Sequence, residues 1–260
     1  MMVAQINNLK NTIAGILLAI VFINSGFSQT KLLNEYTKFG FYGSLNSIGA
    51  GKTNYNVSDP PFRLSYNSYK AGSFGMHYKM FQKNNFTLKT GLYFNFYKNI
   101  IYYEIDKGQI LGYDEYMYFI AGSNNFGNIA VPLTIEYTFR IYNNVSFSSF
   151  ISYSLAYMRI TESRGHGILH NLDFTVDNPN REHSPFYNNF QVGAGFYIPV
   201  KFALFHLFAY YNKNFKEVLI GKYHIEGIQD RPYTIMEGTL TQSGDYIGFG
   251  LTIYPKKWWK

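Results

Sequence analysis

The chain has 260 residues, 23 Lys and Arg against 16 Asp and Glu, a net charge of +7 and no cysteine. Without cysteine there are no disulfides, so the fold is held by hydrogen bonds and packing alone. The basic residues are scattered, with no run longer than Lys256-Lys257, so the stripe that would neutralise a nucleic-acid backbone is missing and nucleic acid is not expected as a partner.

Lys10 precedes an apolar run at 13–23 (IAGILLAIVFI), followed by Asn24-Ser25-Gly26-Phe27-Ser28-Gln29. Gly26 and Ser28 are small residues two apart, which a signal peptidase pocket requires, so residues 1–28 are expected to be a cleaved signal peptide. The run of about 11 residues is far short of the ~20 that span a bilayer as a helix, which leaves an uncleaved anchor as the lesser alternative. No cysteine follows it to carry a lipid. Export is the expectation.

Beyond the leader the chain alternates apolar and polar residues with a period of two, the mark of strands with unlike faces. The first strand, 37–45, sets Phe39, Phe41 and Leu45 against Lys38, Gly40, Tyr42 and Ser44, and a long polar segment follows at 46–67. The second, about 69–80, sets Phe74, Met76, Tyr78 and Met80 against Ser73, His77 and Lys79. Gln82-Lys83-Asn84-Asn85 makes a tight connection to the third, where Phe86, Leu88, Leu92, Phe94 and Phe96 oppose Thr87, Lys89, Tyr93 and Asn95. The next connection, about 102–128, holds Asp106-Lys107-Gly108-Gln109 between strand-like runs and reads as a hairpin standing clear of the membrane.

The fourth strand opposes Ile129, Val131, Leu133, Ile135, Tyr137 and Phe139 to Ala130, Thr134, Glu136, Thr138 and Arg140. After a short turn the fifth, 145–158, carries a row of small residues: Ser146, Ser148, Ser152, Ser154 and Ala156. A polar segment spans 159–189. The sixth strand opposes Val192, Ala194, Phe196 and Ile198 to Gln191, Gly193, Gly195 and Tyr197, and Pro199-Val200-Lys201 turns the chain. The seventh, 204–212, is apolar on both faces; facing Leu207, Ala209 and Tyr211 outward puts His206 inside. A last long segment, 213–242, precedes the eighth strand, where Ile247, Phe249, Leu251 and Ile253 oppose Gly248, Gly250, Thr252 and Tyr254.

Eight strands with strictly alternating short turns and long loops predict an all-β fold: an antiparallel up-and-down transmembrane β-barrel with four long external loops and short periplasmic turns. Ten strands remain open if the second loop crosses the membrane. The barrel is expected to occupy 29–254, with 255–260 a short periplasmic tail. A soluble barrel or sandwich is the alternative, because alternation does not say which face is inside. The polar face is mainly Gly, Ser, Thr, Asn and Tyr, poor solvating material but suited to a narrow lumen. Twenty-five Tyr and 24 Phe against two Trp suit a lipid-facing wall with aromatic girdles.

Three stretches carry a resemblance: Asn128-Ile129-Ala130-Val131-Pro132-Leu133-Thr134-Ile135-Glu136-Tyr137, Gln191-Val192-Gly193-Ala194-Gly195-Phe196, and Gly248-Phe249-Gly250-Leu251-Thr252-Ile253-Tyr254. They resemble the porin-like outer-membrane β-barrel domain family that includes the PorT group, with Glu136 where a Lys is usual. The resemblance implies an integral protein of a Gram-negative outer membrane, inserted by the barrel-insertion machinery in contact with outer-membrane lipid. It also implies a secretion-linked role with other envelope or secretion proteins as partners. Such strands usually finish the chain, whereas here Pro255-Lys256-Lys257-Trp258-Trp259-Lys260 follows. Trp258 and Trp259 between lysines suit an interfacial anchor.

Lys38, His77, Lys79, Lys89, Glu136 and Arg140 all fall on the inward face of this register. An eight-stranded barrel is just wide enough for its own side chains, so these residues are expected to form a charge-paired plug, the alternative being a polar channel. Unpaired charge there would be costly, and the excess of cations over Glu136 leaves some lysines to snorkel to a rim.

His166 and His170, with Glu162, Asp173, Asp177, Glu182 and His183 nearby, offer metal-ligand chemistry, but Gly165 and Gly167 oppose the helix that would align them. Exposed loop histidines are the simpler reading. No G-x-S-x-G is present. The sequence therefore predicts no catalytic, cofactor or metal site. A structural or assembly component comes first, a small passive pore second, and a barrel enzyme acting on outer-membrane lipid third.

Overall fold

In the computed structural model the described residues are 35–49, 52–55, 62–105, 117–142, 144–158, 163–169, 172–178, 185–217, 219–227 and 235–257. The expected signal peptide and the Trp258-Trp259 pair lie outside them. The strands are β1 (Phe39–Ile48), β2 (Lys52–Tyr55), β3 (Phe62–Lys83), β4 (Phe86–Ile105), β5 (Met117–Tyr142), β6 (Val145–Met158), β7 (Ser163–Leu169), β8 (Leu172–Asn178), β9 (Phe186–Pro199), β10 (Ala203–Asn214), β11 (Leu219–Gly227), β12 (Ile235–Gln242) and β13 (Tyr246–Pro255).

Eight of them close a barrel in the order β1-β13-β10-β9-β6-β5-β4-β3. All its ladders are antiparallel. Closure is made by β1 on β13, from Phe41 opposite Ile253 to Ile48 opposite Tyr246. Eight is therefore the strand number, and the second long loop adds no further crossing.

The short connections gather at one end. Asn84 turns β3 into β4 with φ 54°, a left-handed conformation that Asn tolerates better than most residues. The β9–β10 turn is closed by Val200 N–H donating to Ala203 O at 2.8 Å. Tyr36 bridges Lys256 at this same end, so both termini of the barrel meet there.

At the other end the connections are themselves paired. β3, β4 and β5 are 22, 20 and 26 residues long, well over the 9–11 that cross hydrocarbon. Their ladders run on to Phe62–Ile105 and Ile105–Met117, so the expected hairpin in the second loop is an extension of the barrel wall. The other three long connections contribute a separate five-stranded sheet, β2-β12-β11-β8-β7.

The barrel is polar inside and apolar outside. Every barrel strand exposes large apolar side chains, among them Phe41, Phe74, Phe94, Val131, Leu155, Val192, Leu207 and Phe249. In β10, Leu207 and Tyr211 face out and His206 is buried, which resolves the register of that strand. Aromatic rings run in contact around the short-turn end, from Phe86 through Tyr137, Phe139 and Phe147 to Phe196, with centroids 4.9 to 6.3 Å apart. Tyr137, expected on the exposed face, is covered by its neighbours and only 8% exposed.

Candidate functional site in the barrel interior

Side chains alternate in or out along each strand, so the inward rows of the eight strands converge on one narrow space. What fills it is large aromatic rings lying across glycines. A β-carbon at Gly250 would stand 2.3 Å from Phe208 Cζ, one at Gly193 2.4 Å from Phe150 Cζ, and one at Gly248 2.5 Å from Tyr210 Cε1. The Gly-x-Gly repeats of β9 and β13 are thus the floor on which neighbouring rings lie.

Near the short-turn end is the charged cluster. Lys89 (β4) and Glu136 (β5) form an ion pair, each 2% exposed. Lys89 Nζ also donates to Tyr197 Oη at 2.8 Å, and Tyr197 Oη donates to Glu136 Oε1 at 2.7 Å. Lys79 (β3) joins them without a carboxylate: its Nζ lies 4.0 Å from the Tyr254 ring centroid and has no hydrogen-bond partner among the described residues. Tyr36, Tyr197, Leu204 and Tyr254 pack below as a buried apolar floor.

Above this layer His206 Nε2 lies 2.7 Å from Ser148 Oγ, and the imidazole stacks on Tyr197 with centroids 4.1 Å apart. His77 contacts Tyr93 Oη at 2.9 Å through Nε2, and Tyr93 stacks on Tyr42 at 4.4 Å. Tyr42, Ser44, Asn46, Ser73 and Tyr210 form a chain of hydrogen bonds of 2.9 to 3.0 Å joining β1, β3 and β10. Toward the long loops the lining is amides: Asn95 donates to Asn128 at 2.6 Å, Gln191 to Asn212 at 3.2 Å.

Four of the six residues expected inside, His77, Lys79, Lys89 and Glu136, are buried together. Lys38 and Arg140 are exposed at the short-turn rim instead. Lys38 precedes β1 and Arg140 stands two residues from the end of β5, where water solvates a charge that the packed interior could not. Sequence periodicity places Tyr197, Tyr254, Ser148 and His206 on inward rows but does not show which of them touch. Those contacts cross between strands far apart in the chain.

Among the described residues the interior cavities are small. Two cavities, one bounded by His77, Lys89, Tyr93, Glu136 and His206 and one near Asn95, Asn128 and Asn189, measure about 20 Å³ each, room for about one water apiece. A larger cavity of about 300 Å³ opens at the short-turn rim. Ser148 Oγ and His206 have the contact of a nucleophile and its base, and Ser148 is 0% exposed.

The described residues hold no group of three His, Cys, Asp or Glu arranged to bind a metal. The side chains of His166, Asp173 and Asp177, and all of Glu162, His170, Glu182 and His183, lie outside them.

No family model matches the chain, and no curated protein matches it. Solved structures similar to it include the outer membrane protease OmpT from Escherichia coli, 9% identical over 84% of this chain and 94% of that one, with a TM-score of 0.37. The outer membrane protein AlkL in lipid bilayers is 14% identical over 86% and 94%, with a TM-score of 0.35. The translocator domain of the autotransporter NalP from Neisseria meningitidis is 8% identical over 96% and 98%, with a TM-score of 0.20.

Proposed function

We propose that this chain is an integral outer-membrane β-barrel with a plugged interior and no catalytic activity, acting as a structural or assembly component of the cell envelope. The observation that carries the reading is the inversion of the barrel. Large apolar side chains are outside on all eight strands, while Lys79, Lys89, Glu136 and the tyrosine network are inside. In water such an exterior forfeits roughly 25 cal/mol per Å² of exposed apolar area. In hydrocarbon it costs nothing, and the closed ladder leaves no backbone edge unsatisfied. The aromatic belt from Phe86 to Phe196 then lies at headgroup level, and the short turns face the periplasm.

The filled interior favours assembly work over solute passage, and the extramembrane sheet of β2, β12, β11, β8 and β7 supplies a surface for contacts. The strand motifs around Pro132, Gly193 and Gly250 that resemble the PorT group support a secretion-linked role. The test is fractionation with heat-modifiable gel migration, followed by affinity purification from gently solubilised outer membranes. A membrane-bound, heat-modifiable protein with a stoichiometric envelope partner is expected; a protein that stays soluble without detergent overturns the reading.

The Ser148–His206 contact favours a second reading, an enzyme acting on outer-membrane lipid. It requires the interior to open far enough to admit an acyl or phosphoryl group to Ser148.

A further inference from the structure

Lys79 and Lys89 are direct partners across the β3–β4 ladder, and both are buried in the interior. Like charges directly opposite one another are destabilising, and the buried cluster contains one carboxylate. Glu136 is taken by Lys89 and Tyr197. Among the described residues the Lys79 ammonium meets the ring faces of Tyr254 and, at 5.8 Å, Tyr197 and has no hydrogen-bond partner; a ring face accepts no hydrogen bond from an ammonium as an oxygen would. A buried ammonium without an acceptor is unfavourable, and an anion within reach of Lys79 Nζ would offset that cost.

The structure has a place for one. The rim cavity of about 300 Å³ is bounded by Lys38, Lys79, Gln82 and Lys257 on its polar side. Gln82 Nε2, like Lys79 Nζ, is a buried donor with no partner among the described residues. On the other side stand Met80 and Phe81, apolar residues exposed on the barrel exterior. A β-bulge between Lys79 and Phe81 brings the two sides together, a device common beside binding sites. The four-carbon stem of Lys79 lets its ammonium swing from the Tyr254 ring into the cavity.

We propose that this rim cavity binds a phosphate-bearing anion through Lys79 and Gln82, and that its source is the headgroup of a periplasmic-leaflet phospholipid whose acyl chains lie along Met80 and Phe81. The lipid source rests on the membrane reading above; the anion site does not.

The experiment uses the folded full-length chain in detergent, its barrel checked by heat-modifiable migration. Phosphatidylglycerol retention is read by native mass spectrometry, and inorganic phosphate binding by phosphorus NMR. One retained phosphatidylglycerol is expected. Lys79→Met weakens it by about tenfold or more, the worth of a charge-assisted hydrogen bond, and Lys79→Arg keeps it. Gln82→Leu, which removes a donor without creating a buried charge, weakens it about threefold or more and carries the test if Lys79→Met does not fold.

Unchanged retention in Lys79→Met, or in Gln82→Leu where Lys79→Met does not fold, overturns the site. Inorganic phosphate bound at Lys79 as tightly as phosphatidylglycerol keeps the site and overturns the lipid source. A chain soluble without detergent that still binds phosphate through Lys79 overturns the membrane reading and leaves the anion site standing.

Discussion

Lys89 and Glu136 are an ion pair shut away from water, and the Tyr197 hydroxyl stands between them, accepting from the lysine and donating to the carboxylate. Three strands, β4, β5 and β9, are fastened at this point. Removing one member leaves an uncompensated buried charge. Glu136→Leu is expected to cost about 3–5 kcal/mol, whereas Lys89→Met with Glu136→Leu recovers most of the loss because both charges go together. Urea unfolding of the protein folded into vesicles measures both, and a single variant within about 1 kcal/mol of wild type would refute a pair of this kind.

The ring-on-glycine packing makes two glycines respond differently to the same substitution. A β-carbon at Gly250 meets the tip of the Phe208 ring, but one at Gly195 stands 2.3 Å from the Leu207 carbonyl oxygen. Both Gly→Ala changes are expected to destabilise by about 1–3 kcal/mol through overpacking. A second change, Phe208→Leu, makes room at Gly250 and rescues that variant, while the Gly195 variant meets backbone and is not rescued. Equal rescue at both positions would contradict this ring-on-glycine packing.

A plugged interior predicts electrical silence. In planar bilayers the wild-type barrel is expected to show no steady single-channel current, because the space around His77, Glu136 and His206 holds about one water. Tyr197→Ala with Tyr254→Ala, which removes the buried floor, is expected to admit ions. Steady wild-type conductance would revive the pore.

Ser148 separates structure from catalysis. An activated serine reacts with a fluorophosphonate probe, whereas a hydroxyl that only satisfies His206 does not. No labelling is expected, and Ser148→Ala is expected to cost about 1–3 kcal/mol by leaving a buried imidazole nitrogen unsatisfied. Labelling that disappears in Ser148→Ala would favour the enzyme.

Much of this was legible in particular stretches of the chain. Ile129 to Arg140 alternates so cleanly that both faces of the fourth strand can be assigned, and Glu136 is buried on the expected side. Residues 46–67, 159–189 and 213–242 read as polar connections, yet parts of them form β2, β7, β8, β11 and β12. Their pairing, such as Thr53 opposite Leu240, joins segments far apart in sequence, which no pattern local to one loop specifies. For the same reason β3, β4 and β5 run past the ends that apolar alternation marks.

Sequence by itself determined the alternation of short and long connections and, in every barrel strand but the seventh, which face is polar; the closed ladder decided between eight strands and ten. A period of two survives translation into any closed sheet, and one narrow lumen leaves one destination for the polar rows. Tertiary structure decided which inward residues meet: that Lys89 takes Glu136, that Lys79 is left to Tyr254, and that Ser148 touches His206. Those outcomes depend on register and stagger between strands, set by three-dimensional closure of the barrel, and no local pattern along the chain encodes them.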